Sequence, residues 1–536
     1  MSEKPLGIKR IWHRITGDER STLKVPVLNT VIMVYIGFTL LCYVLFLIAP
    51  FVAFLVQTPL AHIKTYLGLL GAALILADLF TNRVLWRGRY CILLYGICAI
   101  AVVSTLLTLS YGIKDNIFDL CWVTIQFALF YSCVYRSNQQ KMNRYFKILF
   151  GTILAVWLIA CCVSIYQYIF QIGYTYVLNR DVNPELVRQG FINNRLFGIF
   201  TGLDYAVYMS LMLIICCVHY IAVTKRGWWI KVPLLIAAGI FLIHIILSGS
   251  RSVQVAMLLY VFFMTLLTLR NRFKHWKKMK RICACTAVSL CVVFIGIACF
   301  FGAKEVLAKV PGWVSHVSQS QEQDSGVADQ KVTEESENSL ESQEQSSGVA
   351  DQQASEKTEN ILRRRGLEDI SNDRFQIWKD YLGLSKEIGL FGLSLSNYND
   401  YISDKHPDLF IVRYFQEKYG DFQKSDLVYE SHNNYLFAFV STGAFGALLL
   451  AVFLILVIIN VIRYIRKHPH IPMRFITPLA IVGAGCVEAF FMNSVFLKIN
   501  AIAFVFWIAL GIVMKISCDS RKDWLHYMKR HDLSVG

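Results

Sequence analysis

Charge is scarce in this chain. Asp, Glu, Lys and Arg make up 17% of its residues against 55% hydrophobic ones, a balance that excludes a string of ordinary soluble domains. No ten-residue segments alternate apolar and polar residues, which removes a membrane β-barrel. A Gly-rich phosphate loop of the P-loop type, an H-E-x-x-H and a G-x-S-x-G are all missing, which disfavours a cytoplasmic nucleotide-driven pump. None of the 15 cysteines falls in the long polar stretch after Phe301, where an exported disulfide framework would sit, so they read as small core residues. Cys283 and Cys285 form a C-x-C pair with no second pair or nearby His at zinc-finger spacing, and no metal or other cofactor is expected.

What the chain has instead is apolar runs of membrane length, flanked by basic clusters. Runs such as Val31 to Pro50, Ile148 to Phe170 and Ala444 to Ile462 are long enough to cross a ~30 Å hydrocarbon core as helices. The expected fold is an all-α polytopic membrane protein of about twelve transmembrane helices, at 30–55, 62–81, 90–110, 116–134, 147–171, 201–223, 231–249, 252–269, 282–302, 434–462, 475–496 and 499–516.

The net charge of +16 does not form one basic patch, so nucleic acid is not expected as a partner. It follows topology instead. With the N-terminus inside, Arg83, Arg87, Arg89, Arg136, Lys225, Arg226, the Arg270–Arg281 cluster, Arg463, Arg466 and Arg474 all fall in cytoplasmic loops, and the short outer loops are poor in Lys and Arg. The basic segment 1–29 lacks a short apolar stretch with a small-residue cleavage site and reads as a retained cytoplasmic tail, as does 517–536. The main exceptions to the charge rule are Lys64, Lys114, Arg180, Arg188, Arg195, Arg251 and Lys498.

This divides the chain into a membrane domain at 30–302, a large extracytoplasmic loop at 303–433 between spans nine and ten, and the last three spans at 434–516. Within the loop, 315–360 repeats SQEQDSGVADQ (Ser320 to Gln330) as SQEQSSGVADQ (Ser342 to Gln352) and reads as a disordered spacer. Residues 362–433 regain aromatic residues and should fold. There Phe375, Trp378, Tyr381 and Leu382 are expected on one helical face after an Asp373 N-cap.

Charged groups close to a membrane are costly unless paired or put to use. Arg195 in NNRLFGIFTG and Arg251 in LSGSRSVQ share one membrane face, and two guanidiniums there suit a diphosphate, whose oxygens they can grip bidentately. His432 in ESHNNYLF lies at the same face, where a neutral imidazole can take a proton from a sugar hydroxyl. Arg374, Glu430, Asn433, Tyr435, Asp204 and Glu488 are weaker candidates for supporting or acceptor-binding groups. His244, Asp78 and Asp119 read as structural polar contacts.

At these residues the sequence resembles the O-antigen ligase and polysaccharide polymerase (Wzy-like) superfamily of bacterial membrane glycosyltransferases. Three landmarks occur in order over roughly Arg195 to Ala447. They are Arg195-Leu-Phe-Gly198 at the start of a span, Ser250-Arg251-Ser252 between two closely joined spans, and a long loop with Arg374-x-x-x-Trp378 ending in His432-Asn-Asn-Tyr435 and followed by Gly443 and Gly446. The chain departs from many relatives in carrying Thr201-Gly-Leu-Asp204 after the first landmark.

The resemblance implies a glycosyltransferase type C-like fold, a polyprenyl-diphosphate-linked glycan donor (undecaprenyl diphosphate in bacteria) and a glycan, lipid or wall-polymer acceptor. It implies a metal-independent inverting transfer, with His432 as base and Arg195 and Arg251 on the donor diphosphate, in a bacterial plasma (inner) membrane. The rival expectation is a transporter or flippase for lipid-linked sugars, which calls for two-half repeats and broken helices near the midplane. A non-catalytic receptor or scaffold is the third.

Overall fold

A computed structural model of the chain describes residues 26–82, 88–137, 139–178, 185–225, 227–273, 275–325, 374–418, 429–468 and 470–518. Among them, eleven helices are long and apolar enough to cross a membrane. The first part of the chain builds α1 (Pro26–Leu45), α2 (Ala49–Val56), α3 (Ile63–Asn82), α4 (Cys91–Leu107), α5 (Lys114–Arg136) and α6 (Gln139–Ile169). After a small sheet come α7 (Leu203–Val223), α8 (Trp228–Ser248), α9 (Arg251–Arg272) and α10 (Lys278–Ser325). Four short helices follow, α11 (Arg374–Gly383), α12 (Ser385–Ile388), α13 (Tyr398–Lys405) and α14 (Phe410–Lys418), then α15 (Asn434–Lys467), α16 (Met473–Phe491) and α17 (Ala501–Cys518).

The twelfth apolar segment is α4, whose 17 residues reach only about 25 Å at 1.5 Å per residue. Leu69, Ile159, Leu235 and Phe294 lie exposed on helix sides, a pattern that water penalises and hydrocarbon does not. Cys162, Cys283, Cys291 and Cys299 are exposed as well, rather than core residues as expected.

The C-terminal helix is the axis of the bundle. Phe504 of α17 stacks on Phe130, with ring centroids 4.5 Å apart, and meets the edge of Tyr43 at 4.8 Å, while Trp507 packs edge-on to Phe127 at 4.8 Å. Gln126–Cys133 of α5 widens into π-helix against it, with every residue buried. Away from the site described below, Arg136 Nη2 meets Asp78 Oδ2 at 2.9 Å as a buried ion pair, and Arg270 Nη2 donates to the Ile465 and His468 carbonyls near the end of α15. Cations at helix C-termini satisfy carbonyls that have no intrahelical partner.

The structure is not purely helical. A three-stranded antiparallel sheet, β1 (Gly173–Leu178), β2 (Glu185–Ile192) and β3 (Arg195–Gly198), stands between α6 and α7. Tyr174-Thr-Tyr-Val is strand-forming sequence. Asn193 and Asn194 both take positive φ, +52° and +58°, as a two-residue hairpin turn that pairs Ile192 with Arg195. Arg195-Leu-Phe-Gly198 is therefore a strand and not the start of a span; the helix begins at Leu203.

Two other expectations change. Helix α10 does not stop at 302 but runs to Ser325, so the first residues of the expected spacer continue a helix. The remainder, with the second copy of the repeat and Asp373, lies outside the described residues. In α11 the buried face carries Ile377 and Tyr381, while Phe375 and Leu382 are exposed. Asp380 turns inward to accept the Ile411 N–H at 2.9 Å, and that rotates the helix.

The 374–418 unit is attached to the bundle by backbone. Helix α15 breaks at Gly443 (φ +64°, ψ −168°), and the break exchanges hydrogen bonds with residues 389–394. Leu393 N donates to the Val440 carbonyl at 2.8 Å and Ser394 N to that of Ser441 at 3.1 Å, while Ala444 N and Phe445 N donate to the Gly389 and Leu390 carbonyls, both at 3.1 Å. A Cβ on Gly443 would run into the Leu390 carbonyl and the Phe391 nitrogen, and one on Gly446 into the Thr442 side chain. Gly443→Ala should destabilise the protein by at least ~2 kcal/mol from the left-handed φ and the backbone clash. Thermal unfolding in detergent, followed by the loss of monodisperse protein, checks this. Gly483→Ala is the control, because its Cβ meets nothing within 4 Å and should leave the midpoint unchanged.

Candidate functional site

The Asn193–Asn194 hairpin delivers Arg195 to the turn between α8 and α9. Gly249 ends α8 in the left-handed conformation (φ +65°), Ser250 is the N-cap residue of α9, and Arg251 is its first helical residue. Arg195 Nε donates to the Ser248 carbonyl at 3.0 Å, its guanidinium lies 5.9 Å from the Phe197 ring centre, and its side chain lies beside Gly249. Ser250 Oγ donates to Asp204 Oδ1 in the first turn of α7 at 2.9 Å. One tight turn thus carries Arg251 and receives Arg195 from β3 and the Asp204 carboxylate from α7.

Arg374, at the start of α11, joins this group. Burial lowers its pKa, with Asp204 and Glu488 opposing and Arg195 and Arg251 adding to the fall. All four residues are therefore within electrostatic reach of its guanidinium. Glu488 in the last turn of α16 is buried and accepts a hydrogen bond from Ser252, and its Oε2 has no hydrogen-bond partner among the described residues. Three guanidiniums face two carboxylates at one end of the bundle, a concentration of positive charge that suits a polyanionic ligand.

His432 lies on a clip next to this cluster. Trp378, one turn along α11 from Arg374, donates from Nε1 to the Ser431 carbonyl at 2.9 Å. Ser431 Oγ donates to Asn493 Oδ1 at 2.9 Å, and the Asn433 N–H donates to the same oxygen at 3.1 Å. Between these anchors His432 takes φ +47°, an uncommon conformation for a residue other than Gly, Asn or Asp and one that persists only where neighbours fix it. Its Nδ1 is 3.8 Å from Glu430 Oε2, with both side chains part-exposed.

The other candidates are mostly structural. Asn433 is the N-cap of α15, accepting from the Tyr435 and Leu436 N–H groups at 3.0 Å each. Tyr435 OH donates to the Cys486 carbonyl at 3.0 Å, tying α15 to α16. His244 contacts Ser210 Oγ at 3.0 Å inside the bundle, and Asp119 accepts from Ser396 Oγ at 2.6 Å.

Asn434 and Asn493, neither expected from the sequence, complete this network. The expected span at 475–496 is not one helix: the helix stops at Phe491 and coil follows. Asn434 holds that coil, donating to the Phe496 carbonyl at 2.7 Å and accepting from the Val495 N–H at 2.7 Å and from the Phe496 N–H. An Asn-Ser pair interrupting the apolar run FMNSVF is the signal that could have found it.

Residues 236–451, about two-fifths of the chain, match the sequence model of the family described as O-antigen ligase. No curated protein matches the chain. The matched segment contains Arg251, Arg374, Glu430 and His432, whereas Arg195 precedes it and reaches the cluster through the Ser248 contact.

The clip carries a direct test. Asn493→Ala removes the acceptor that the Ser431 hydroxyl and the Asn433 N–H share, leaving the hydroxyl its bond to the Asn433 carbonyl at 2.9 Å and the N–H a long bond to Ser431 Oγ at 3.4 Å, which should cost about 0.5–1.5 kcal/mol. Amide exchange at 431–433 should rise several-fold, as read by mass spectrometry, with exchange in α17 unchanged.

Proposed function

We propose that this membrane protein is a glycosyltransferase that moves a glycan from a polyprenyl-diphosphate carrier to an acceptor hydroxyl on the extracytoplasmic face of a bacterial plasma membrane. The observation that carries the reading is the convergence of Arg195, Arg251 and Arg374 beside the His432 clip. The similarity of residues 236–451 to the O-antigen ligase family supports the same chemistry. Both termini are assigned to the cytoplasm, from the basic loops at the opposite end of the bundle.

In this mechanism the donor diphosphate lies against Arg195 and Arg251, with Arg374 adding a third guanidinium. Asp204 and Glu488 hold the cluster together when no ligand is bound. His432 Nδ1 faces Glu430, which leaves Nε2 to accept the proton of the acceptor hydroxyl. The acceptor oxygen attacks the anomeric carbon from the side opposite the diphosphate, the glycosidic bond forms as the bond to the carrier breaks, and the configuration inverts. The arginines stabilise the charge that develops on the departing diphosphate, and the reaction needs no metal. The acceptor is another lipid-linked repeat for a polymerase, or a lipid or wall polymer for a ligase.

A flippase reading draws on the break at Gly443, since broken helices mark transport sites. Here the chain's own residues 389–394 fill the break, which favours a fixed site over a moving one.

His432→Ala, expressed at the normal level in the native host, should cut transfer by about 10²–10⁴, the usual worth of a general base. Gel analysis should show loss of long surface glycan and accumulation of the lipid-linked donor; a wild-type glycan profile would overturn the assignment. Arg195→Ala and Arg251→Ala should each reduce donor turnover by roughly one to two orders of magnitude, from a lost charged hydrogen bond. Turnover of purified donor in detergent measures that.

A further inference from the structure

A cavity of about 270 Å³ is lined by Tyr43, Lys64, Phe118, Asp119, Leu497 and Lys498. It is tied to the His432 clip by chain and by charge. The Lys498 amine lies 4.0 Å from the ring centre of Phe437, one helical turn into α15 from Asn433, and Lys498 interacts electrostatically with Glu430, the residue beside His432. Gln126 Nε2 fixes the loop by donating to the Lys498 carbonyl at 2.7 Å. On the other wall the Lys64 amine rests 5.2 Å from the Phe46 ring and 5.8 Å from that of Tyr43.

Two features indicate what the cavity takes. Tyr43 is 3% exposed and its hydroxyl is buried, so it joins Phe118 and Leu497 in the apolar part of the lining. The charges are also mixed: two amines stand against Asp119 and the nearby Glu430, which favours a neutral ligand with many donors and acceptors over an anion. Burial lowers the Lys498 pKa while Glu430 and Asp119 oppose the fall. Phe118 and Leu497 supply apolar wall. A sugar ring has this combination, an apolar C–H face edged with hydroxyls.

We propose that this cavity binds one neutral sugar ring of the glycan acceptor, held by Lys64, Asp119 and Lys498 against the apolar wall. The assignment rests on the transfer reading above and adds an acceptor subsite to it. Sugar binding can be measured without any donor, so the two can fail separately.

The test is saturation-transfer NMR on the full-length protein in detergent, using the methyl glycosides of glucose, galactose, N-acetylglucosamine and rhamnose, with methyl glucuronide as the anionic probe. At least one neutral glycoside should show saturable transfer in the wild type. Lys498→Gln should weaken it about tenfold, the worth of one buried hydrogen bond to a charged group. Lys64→Gln should weaken it several-fold, and Arg195→Ala should leave it unchanged. Binding unaffected by Lys64→Gln and Lys498→Gln, binding of the glucuronide alone, or no binding of any neutral glycoside would overturn the proposal. A normal surface glycan in the His432→Ala host would instead strike at the transfer reading and leave the NMR result standing.

Discussion

Backbone hydrogen bonds across the break in α15 hold the candidate site together. Hydrocarbon offers no water to an exposed N–H or carbonyl, so a helix that opens near the membrane must find other partners. Here the partners come from residues 389–394, and the positive φ of Gly392 and Gly443 lets the two backbones approach closely. That attachment makes the 374–418 unit a continuation of the bundle. With the unit fixed, Trp378 reaches the Ser431 carbonyl and Arg374 reaches the cluster around Arg251.

Electrostatics sets the second constraint. Three guanidiniums in one region repel one another, and partial burial raises the cost of the Arg374 charge. Asp204 and Glu488 offset part of that cost, and Ser250 and Ser252 orient the two carboxylates. A site built this way favours a ligand that brings several negative oxygens at once. The lysines at Lys64 and Lys498 are balanced differently, by Asp119 and Glu430. The arginine cluster and the lysine-lined cavity are therefore unlike in charge, and each is linked to the His432 clip.

Several features were legible in the sequence. Apolar runs of membrane length are local, and hydrophobicity needs no tertiary partner to be read. Arg195, Arg251, Arg374 and His432 stood out because charge is rare in such a chain. The hairpin at Asn193–Asn194 was also there to be read, since two adjacent asparagines followed by Arg-Leu-Phe-Gly suit a two-residue turn. The spans at 147–171 and 201–223 left the residues between them as an outer loop, and Arg195-Leu-Phe-Gly198 reads as the entry to a span rather than as a strand. The buried face of α11 was misread because the inward residue, Asp380, is polar and is drawn in by the Ile411 N–H. Periodicity of apolar residues cannot anticipate that.

The sequence by itself determined that this is a many-helix membrane protein with rare charged residues gathered in a few segments, because burial in hydrocarbon selects composition residue by residue. Tertiary structure alone decided which of those residues meet. Arg195 joins Arg251 through a carbonyl 53 positions away, and the His432 backbone is fixed by an asparagine 60 positions on from Asn433. Such contacts depend on where the chain turns and which helices pack together. A single sequence encodes them only through the whole fold.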